Sequence, residues 1–157
     1  RGPSFQVPDV LSSPGASWAI RDTAPRRRVP IALGRMQWLL DGREFAMADV
    51  APEETVAAGS THHWELVNEG GMMGMQAAHP IHLHGTQFRV VSRTGGASGN
   101  ALRAGLVDEG WMDTVLVLPG ETVRVQVTFS RHQGLYLYHC HILEHEDMGM
   151  MRNFRIV

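Results

Sequence analysis

Short runs of alternating apolar and polar residues recur along the chain from Val29 onward, separated by turns that contain glycine or proline. The most regular run is 121–129, where Val123, Val125 and Val127 share one face with Phe129. Alternation with a period of two predicts β-strands. Further strands are predicted at 31–33, 38–40, 61–67, 81–92, 114–118, 135–141 and 154–157. The pattern predicts an all-β domain, either a Greek-key sandwich or a Greek-key barrel.

Three segments depart from this pattern. Residues 1–28 carry scattered prolines and end in an arginine triplet, so we interpret them as an irregular connector or strap that precedes a domain at 29–157. The triplet itself is typical of a solvated or salt-bridged face. Residues 95–105 are expected to form a flexible loop, and 142–147 one short helical turn. The long strand 81–92 is expected to bend at Gly85.

Composition excludes several classes of function. The chain has 157 residues and a net charge of −2, so no basic surface favours nucleic acid or an anionic membrane. No stretch reaches the roughly 18 apolar residues of a membrane span. The chain begins at Arg1 without a charged-then-apolar leader, which we interpret as a mature or excised piece. A single cysteine forms no internal disulfide and does not reveal the compartment.

Metal-ligating side chains concentrate in two short segments. Cys140 lies between two histidines, with another histidine five residues after it and Met150 ten residues after it. The second segment, 79–85, holds three more histidines. A thiolate with two imidazoles and a weak thioether is the ligand set of a blue-copper electron-transfer centre. Structural zinc usually takes several cysteines and no methionine, so copper is favoured over zinc.

Strand geometry predicts two separate sites. Side chains alternate between faces, so His139 and His141 point away from the face that carries Cys140. The first site would combine Cys140 with a distant histidine, a following histidine and Met150. The second would use imidazoles from two strands. The predicted first set is His79, Cys140, His145 and Met150, and the second is His82, His84, His139 and His141.

These motifs resemble the C-terminal domain of multicopper oxidases. The family pattern His-Pro-x-His-x-His-Gly occurs at 79–85, and the pattern His-Cys-His-x-x-x-His with an axial residue five further on occurs at 139–150. Similarity extends over roughly 29–157, and 145–151 looks most like the bacterial laccases and cuprous oxidases. The resemblance implies a cupredoxin-like fold and a laccase-like activity with oxygen as acceptor.

The resemblance also implies a role for each ligand. His79, Cys140 and His145 would bind one type 1 copper per chain, with Met150 axial. His82 resembles the type 2 ligand. The type 3 pair would be held by His84, His139 and His141. Electrons from a small reducing substrate, such as a phenol or Cu(I), would pass from Cys140 to His139 and His141, which makes these three residues catalytic.

The family's trinuclear cluster needs further histidines from an N-terminal domain, and that domain's His-x-His motifs do not occur in this sequence. The chain would therefore reduce dioxygen to water only with N-terminal cupredoxin domains of the same oxidase as partners. The resemblance places such proteins in the periplasm or outside the cell. The alternative is an isolated blue-copper carrier, which needs no histidine cluster. A copper nitrite reductase is disfavoured because that family has a single histidine beside its cysteine.

Other residues carry open alternatives. Glu146 and Asp147 would either relay protons for oxygen reduction, with Glu146 then catalytic, or form a solvated loop. Asp113 would either orient a ligand histidine or cap a strand. The remaining candidates are expected to have packing or surface roles. Met72, Met73 and Met75 would pack near the copper or else guide Cu(I) to it. Met112, Met148 and Met151 would pack in the core or in the copper pocket rather than bind metal. His62, His63 and His132 would be structural or surface histidines, and Trp38, Trp64 and Trp111 would lie in the core.

Overall fold

The computed structural model describes residues 6, 8, 9, 19–34, 36–70, 77–96 and 101–157. Within these ranges the chain forms ten strands, one short helix and two 3₁₀ turns. The helix α1 is Leu143–Asp147, as predicted, and the turns are Pro52–Glu54 and Arg103–Gly105. The strands are β1 (Arg26–Gly34), β2 (Gln37–Leu40), β3 (Thr55–Val56), β4 (Thr61–Gly70), β5 (His79–Leu83), β6 (Phe88–Gly95), β7 (Thr114–Val117), β8 (Glu121–Thr128), β9 (Gly134–Cys140) and β10 (Met151–Ile156).

The strands form two five-stranded sheets. The first has the order β2-β1-β4-β8-β6, and the second has the order β3-β10-β9-β5-β7. The pairs β1–β4 and β3–β10 are parallel, and the other pairs are antiparallel. Chain neighbours such as β5 and β6 lie in different sheets, as the predicted Greek-key sandwich requires. No helix in the described ranges is long and apolar enough to cross a membrane.

The core lies between the two sheets and follows the predicted alternation. Val123, Val125 and Val127 of β8 are fully buried, and so is Trp64 of β4. Ile81 faces them from the second sheet. Burial of these apolar side chains supplies the main driving force for folding, at about 25 cal/mol per Å² of apolar surface.

The predicted long strand 81–92 is wrong. It consists of two strands, β5 in the second sheet and β6 in the first, joined where the backbone turns at Gly85. Gly85 has a φ of 67°, in the left-handed region that glycine adopts without penalty. A Cβ there would also overlap the ring of Tyr136. The apolar residues on both sides of Gly85 are continuous in sequence, so the change of sheet leaves little trace in the hydrophobic pattern.

The first strand begins earlier than expected. β1 starts at Arg26, because the arginine triplet pairs in parallel with residues 63–65 of β4. The predicted boundary after residue 28 therefore falls inside a strand. Arg27 is buried and ion-paired with Asp41 at 2.8 Å, and Arg28 is paired with Glu69 at 2.6 Å. The salt-bridged character predicted for the triplet is confirmed.

A buried polar network crosses from β1 to the second sheet. Glu54 is fully buried and accepts hydrogen bonds from Arg152 at 2.6 and 3.0 Å. The Tyr138 hydroxyl donates to Glu54 at 2.9 Å and accepts from Arg27 at 3.0 Å. The Arg27 guanidinium also lies 4.6 Å from the centroid of the Trp64 ring. The network joins the two sheets and includes Tyr138, which lies on the same strand, β9, as Cys140.

Candidate metal centres

Two groups of ligand-type side chains lie on opposite faces of β9. Cys140 faces the core, where its sulfur meets His79 and His145. The adjacent residue, His139, faces outward and meets His82 and His84. Within each group the ligand atoms lie within 4.8 Å of one another. We call the first group the thiol site and the second group, together with His141, the histidine cluster.

Three elements assemble the thiol site. Strand β5 brings His79 to the site because Ile81 pairs with Cys140 in the second sheet. The helix α1 brings His145, which is half-buried. The Cys140 sulfur is 3.7 Å from His79 Nδ1 and 3.5 Å from His145 Nδ1. Met150 is fully buried, and its backbone closes the loop by bonding to Cys140 at 3.1 Å and His145 at 2.9 Å.

These distances fit a metal ion. Bonds of about 2.0 Å to imidazole nitrogen and about 2.3 Å to sulfur, at trigonal angles, separate the two ligand atoms by about 3.7 Å. One thiol and two imidazoles form the equatorial set of a blue-copper site, with a long axial thioether. His79, Cys140 and His145 therefore fit the three strong ligands of a single copper ion of this type.

Burial shifts the pKa values of two side chains in the thiol site in directions that favour metal binding over acid–base chemistry. Burial, followed by the neighbouring His145, lowers the pKa of His79 to about 4, so its imidazole is neutral and free to ligate. Burial raises the pKa of the Cys140 thiol to about 11, although a hydrogen bond from the Ile142 backbone acts to lower it. A buried thiol of this kind becomes a thiolate when a metal ion replaces its proton.

Trp38 packs against both imidazoles of the thiol site. Its ring centroid is 4.4 Å from that of His79 and 5.8 Å from that of His145. The sequence predicted only a core position for Trp38, and the side chain is indeed buried. Its contact with the ligands was missed, because β2 lies far from the motifs in sequence. The available signal was the run Trp-Leu-Leu-Asp-Gly at 38–42, which lies within the region of similarity to multicopper oxidases.

The histidine cluster lies on the outer face of the second sheet. His84 Nε2 is 3.0 Å from His139 Nε2, and the ring centroids of His82 and His84 are 4.8 Å apart. His141 is exposed, with its ring 5.6 Å from that of His139 and 5.7 Å from that of His82. Burial and the neighbouring His82 and His139 lower the pKa of His84. Several close imidazoles that are open to one side suit copper ions completed by ligands from elsewhere.

Backbone carbonyls and side chains orient the cluster. His82 Nδ1 lies 2.9 Å from the Asp113 carbonyl oxygen and 3.0 Å from the Thr114 hydroxyl. His139 Nδ1 lies 3.0 Å from the Cys140 carbonyl oxygen. Glu146, on α1, brings a carboxylate oxygen to 3.6 Å from the same nitrogen of His139. Such partners fix which ring nitrogen is left for a metal.

The remaining histidines lie outside both groups, as predicted. His62 packs against Phe129 and contacts the Ser60 hydroxyl at 3.0 Å. His63 is buried beside Gln126 at 3.1 Å, and His132 is exposed.

Other packing predictions have mixed outcomes. Met112 packs against the core, whereas Met148 is 48% exposed, so a core position for Met148 is wrong. Trp64 is in the core, but Trp111 is 55% exposed with Arg89 over its ring, so its predicted core position is wrong. Met151 is half-buried on β10. Residues 71–76, which hold Met72, Met73 and Met75, lie outside the described ranges.

Comparison with known proteins agrees with this architecture. A family model described as multicopper oxidase matches residues 22–157. A laccase of Haloferax volcanii is 46% identical over 127 residues, which cover 77% of this chain and 19% of that protein. A laccase of Bacillus subtilis is 39% identical over 111 residues, covering 63% of this chain and 21% of that protein. The crystal structure of a laccase from Pediococcus acidilactici superposes with a TM-score of 0.76 at 34% identity, covering 99% of this chain and 31% of that one.

The two-sheet sandwich with a cysteine and two histidines at one end has the cupredoxin fold. The chain belongs to the multicopper oxidase family, whose model covers most of its length. It spans about a fifth of the length of these curated relatives and about a third of the solved laccase chain.

Proposed function

We propose that this chain is the C-terminal copper-binding part of a laccase-like multicopper oxidase. Its thiol site would hold one type 1 copper through His79, Cys140 and His145, with Met150 as a weaker fourth ligand. Its histidine cluster would contribute His82 to a type 2 copper and His84, His139 and His141 to a type 3 pair. Bound copper would supply one-electron oxidation of a reducing substrate at the first site and reduction of dioxygen to water at the second.

One observation carries the proposal. The Cys140 sulfur lies within 3.7 Å of two imidazole nitrogens, while the adjacent residue in the chain, His139, belongs to a separate histidine cluster. A single peptide unit therefore joins the two sites covalently. This connection would give electrons a covalent route between them, and a simple electron carrier has no need of the second group.

His145 is the natural contact for a reducing substrate. His79 is fully buried, whereas His145 is half-buried. Two exposed apolar side chains lie near His145 in sequence: Leu143 on the same helix, and Met148 directly after the helix. Electrons would enter through the imidazole edge of His145 and leave through Cys140. The substrate would be a small reductant such as a phenol or Cu(I).

The cluster faces outward and is incomplete by itself. The exposed His141 and the half-buried His82 and His84 leave one side open. We infer that N-terminal cupredoxin domains of the same oxidase cover this side and supply the missing ligands. The length of the curated relatives, about five times the matched segment, is consistent with such domains.

The first test replaces the thiol. Cys140→Ser should abolish the intense blue absorption of the copper-loaded protein, because thiolate–copper bonding produces the colour. His62→Gln is the matched control, since His62 lies outside both groups, and it should retain the colour. After dialysis, the chain alone should retain one tightly bound copper at the thiol site, and the complex with its N-terminal partner should retain four. An equally blue Cys140→Ser protein would contradict the assignment.

Glu146 is proposed to relay protons to the histidine cluster, since its carboxylate lies 3.6 Å from His139 Nδ1. Glu146→Gln should slow dioxygen consumption of the complete oxidase about 100-fold, a typical contribution of a positioned acid–base group. Reduction of the thiol site by substrate should be unchanged in a stopped-flow measurement. Asp147→Asn, at an exposed position, is the control. If dioxygen consumption were slower in Asp147→Asn than in Glu146→Gln, Glu146 would not be the relay.

By family resemblance we propose a periplasmic or extracellular location. Fractionation of the source cells, with detection by an antibody to this chain, tests it. Recovery of the protein with cytoplasmic markers would refute it.

A further inference from the structure

His82 is held by two neighbours on the adjacent strand. Strands β5 and β7 are antiparallel and pair His82 with Thr114. This register puts His82 Nδ1 2.9 Å from the carbonyl oxygen of Asp113 and 3.0 Å from the hydroxyl of Thr114. The carboxylate of Asp113 lies farther away, at 3.8 Å from the same nitrogen. The contacts that orient His82 are therefore a main-chain oxygen and a hydroxyl.

The chemistry of these neighbours fixes where His82 carries its proton. A carbonyl oxygen only accepts hydrogen bonds, so Nδ1 must be the donor. The Thr114 hydroxyl donates its own proton to the Asp113 carboxylate at 3.0 Å, which leaves its oxygen as an acceptor for His82. Both neighbours thus require the same tautomer, with the proton on Nδ1 and a bare lone pair on Nε2.

We propose that Thr114 is a positioning residue for His82, with its hydroxyl oriented by Asp113 so that Nε2 is presented as a metal ligand. The inference rests on the proposed function, in which His82, His84 and His139 hold copper. It assigns to Thr114 a role that the sequence suggested only for Asp113. Asp113 acts on His82 through its carbonyl oxygen and, indirectly, through Thr114.

The other oriented histidine of the cluster shows why Thr114 is distinctive. The closest Nδ1 partner is a carbonyl oxygen for both His139 and His82, at 3.0 and 2.9 Å, and no side-chain substitution removes a carbonyl. His82 has the Thr114 hydroxyl in addition. Within the described ranges, Thr114 is the one hydroxyl that contacts a ring nitrogen of the cluster. Its contribution can therefore be removed while the strand pairing is kept.

The test compares Thr114→Val, which keeps the shape but removes the hydroxyl, with Thr114→Ser, which keeps the hydroxyl. Nitrogen-15 NMR of the full chain reports the tautomer of His82, and Cu²⁺ titration reports affinity at the histidine cluster. We expect the Nδ1–H form in the wild type and in Thr114→Ser. In Thr114→Val only the carbonyl oxygen of Asp113 still holds the proton on Nδ1, so the Nε2–H form should take a larger share than in the wild type, and Cu²⁺ binding at the cluster should be about tenfold weaker.

Asp113 provides a second pair of variants at a position that is 60% exposed. Asp113→Ala leaves the Thr114 hydroxyl without its acceptor, so its proton can turn toward Nδ1. The hydroxyl then opposes the main-chain carbonyl, which still favours the Nδ1–H form, and the share of the Nε2–H form of His82 should increase. Asp113→Asn keeps an acceptor oxygen and should behave as the wild type does. The blue absorption of the thiol site should be unchanged in all four variants, because Thr114 and His82 lie on the other face of the sheet.

Each outcome separates this inference from the proposed function. A wild-type His82 with its proton on Nε2, or a Thr114→Val chain with unchanged tautomer and unchanged Cu²⁺ affinity, overturns the positioning role. If the wild-type cluster takes up no Cu²⁺ even from an excess in the titration, but Thr114→Val loses the Nδ1–H form, the positioning role is supported and the proposed function is contradicted.

Discussion

At the scale of single residues, alternation along β9 has a chemical consequence. Consecutive side chains of a strand point to opposite faces, so Cys140 and His139 address different surroundings although one peptide unit joins them. Cys140 is fully buried against His79 and His145, whereas His139 reaches the outer face. The separation of two metal sites therefore follows from the strand itself and needs no special loop.

Met150 is expected to tune the thiol site without holding it together. Met150→Leu should raise the reduction potential and preserve the blue absorption, because a weak axial thioether donor is lost while the three strong ligands stay. The substitution nearly conserves volume in a fully buried position, so the fold should lose less than about 1.5 kcal/mol. Redox titration followed by visible absorption measures the potential and the colour, and urea unfolding measures the stability.

Met151→Leu is the matched control, since Met151 is half-buried on β10 at a position paired with His139 and outside the thiol site. Its potential should equal that of the wild type. Loss of copper from Met150→Leu, rather than a changed potential, would contradict an axial role.

The ligands could be predicted from sequence because most lie in two local motifs. Spacing and strand alternation were enough to assign Cys140 and His139 to different faces. The roles of Trp38 and Thr114 beside the ligands could not be found this way. Each comes from a strand whose place beside the ligands depends on sheet order, and a local pattern does not encode sheet order.

At the scale of elements, Gly85 allows the chain to pass from the second sheet to the first. It lies one residue after His84, has a φ of 67°, and faces the ring of Tyr136 with no room for a Cβ. The turn thus serves both the fold and the histidine cluster. It also explains why hydrophobicity alone predicted one strand: the buried residues Ile81, Leu83 and Phe88 line the same core from two sheets.

Gly85→Ala should be much more destabilising than an ordinary glycine substitution. Gly42 is the matched control, because it has the same φ of 67° but no heavy atom within 4 Å of the position that a Cβ would take. Gly42→Ala should cost about 1–2 kcal/mol, the penalty of a left-handed backbone with a Cβ. Gly85→Ala adds overlap with Tyr136, for roughly 3 kcal/mol or more in total. Urea unfolding measures both variants.

The double variant Gly85→Ala with Tyr136→Ala checks the cause. If overlap with the ring is responsible, the two effects will be less than additive, because removing the ring relieves the added Cβ. Equal losses for Gly85→Ala and Gly42→Ala would show that only the backbone conformation matters at this turn.

At the scale of the whole molecule, the buried network of Arg27, Glu54, Tyr138 and Arg152 joins distant parts of the chain. Glu54 and Tyr138 are separated by 84 positions in sequence, and Glu54 and Arg152 by 98. In the sequence, Arg27 is one member of a charged triplet and nothing marks Glu54 as buried. Contacts of such sequence separation exist only once both sheets are assembled, which is why the pattern predicted the fold class but not this network.

The network makes stability depend on pH through Glu54. Burial by itself raises the pKa of Glu54, but hydrogen bonds from Arg152, the Ala51 backbone and Tyr138 outweigh it and hold the pKa below its usual value of 4.5. A carboxyl whose folded pKa is lowered contributes stability above the unfolded pKa, and that stability is lost as pH falls through the folded pKa. The free energy of unfolding should therefore decrease at acid pH as Glu54 becomes protonated.

Glu54→Gln should remove this contribution at neutral pH and leave the buried guanidinium groups of Arg27 and Arg152 without their shared carboxylate. Loss of one partner of a buried ion pair typically costs about 3–5 kcal/mol. The difference from the wild type should be largest above pH 4.5 and shrink as the pH falls below that value, since the wild-type carboxyl is then neutral as well. Urea titrations at a series of pH values measure it, with the exposed Glu53→Gln as control. A constant difference across the acid range would mean that the charge of Glu54 contributes nothing, and that its shape and hydrogen bonds alone join the two sheets.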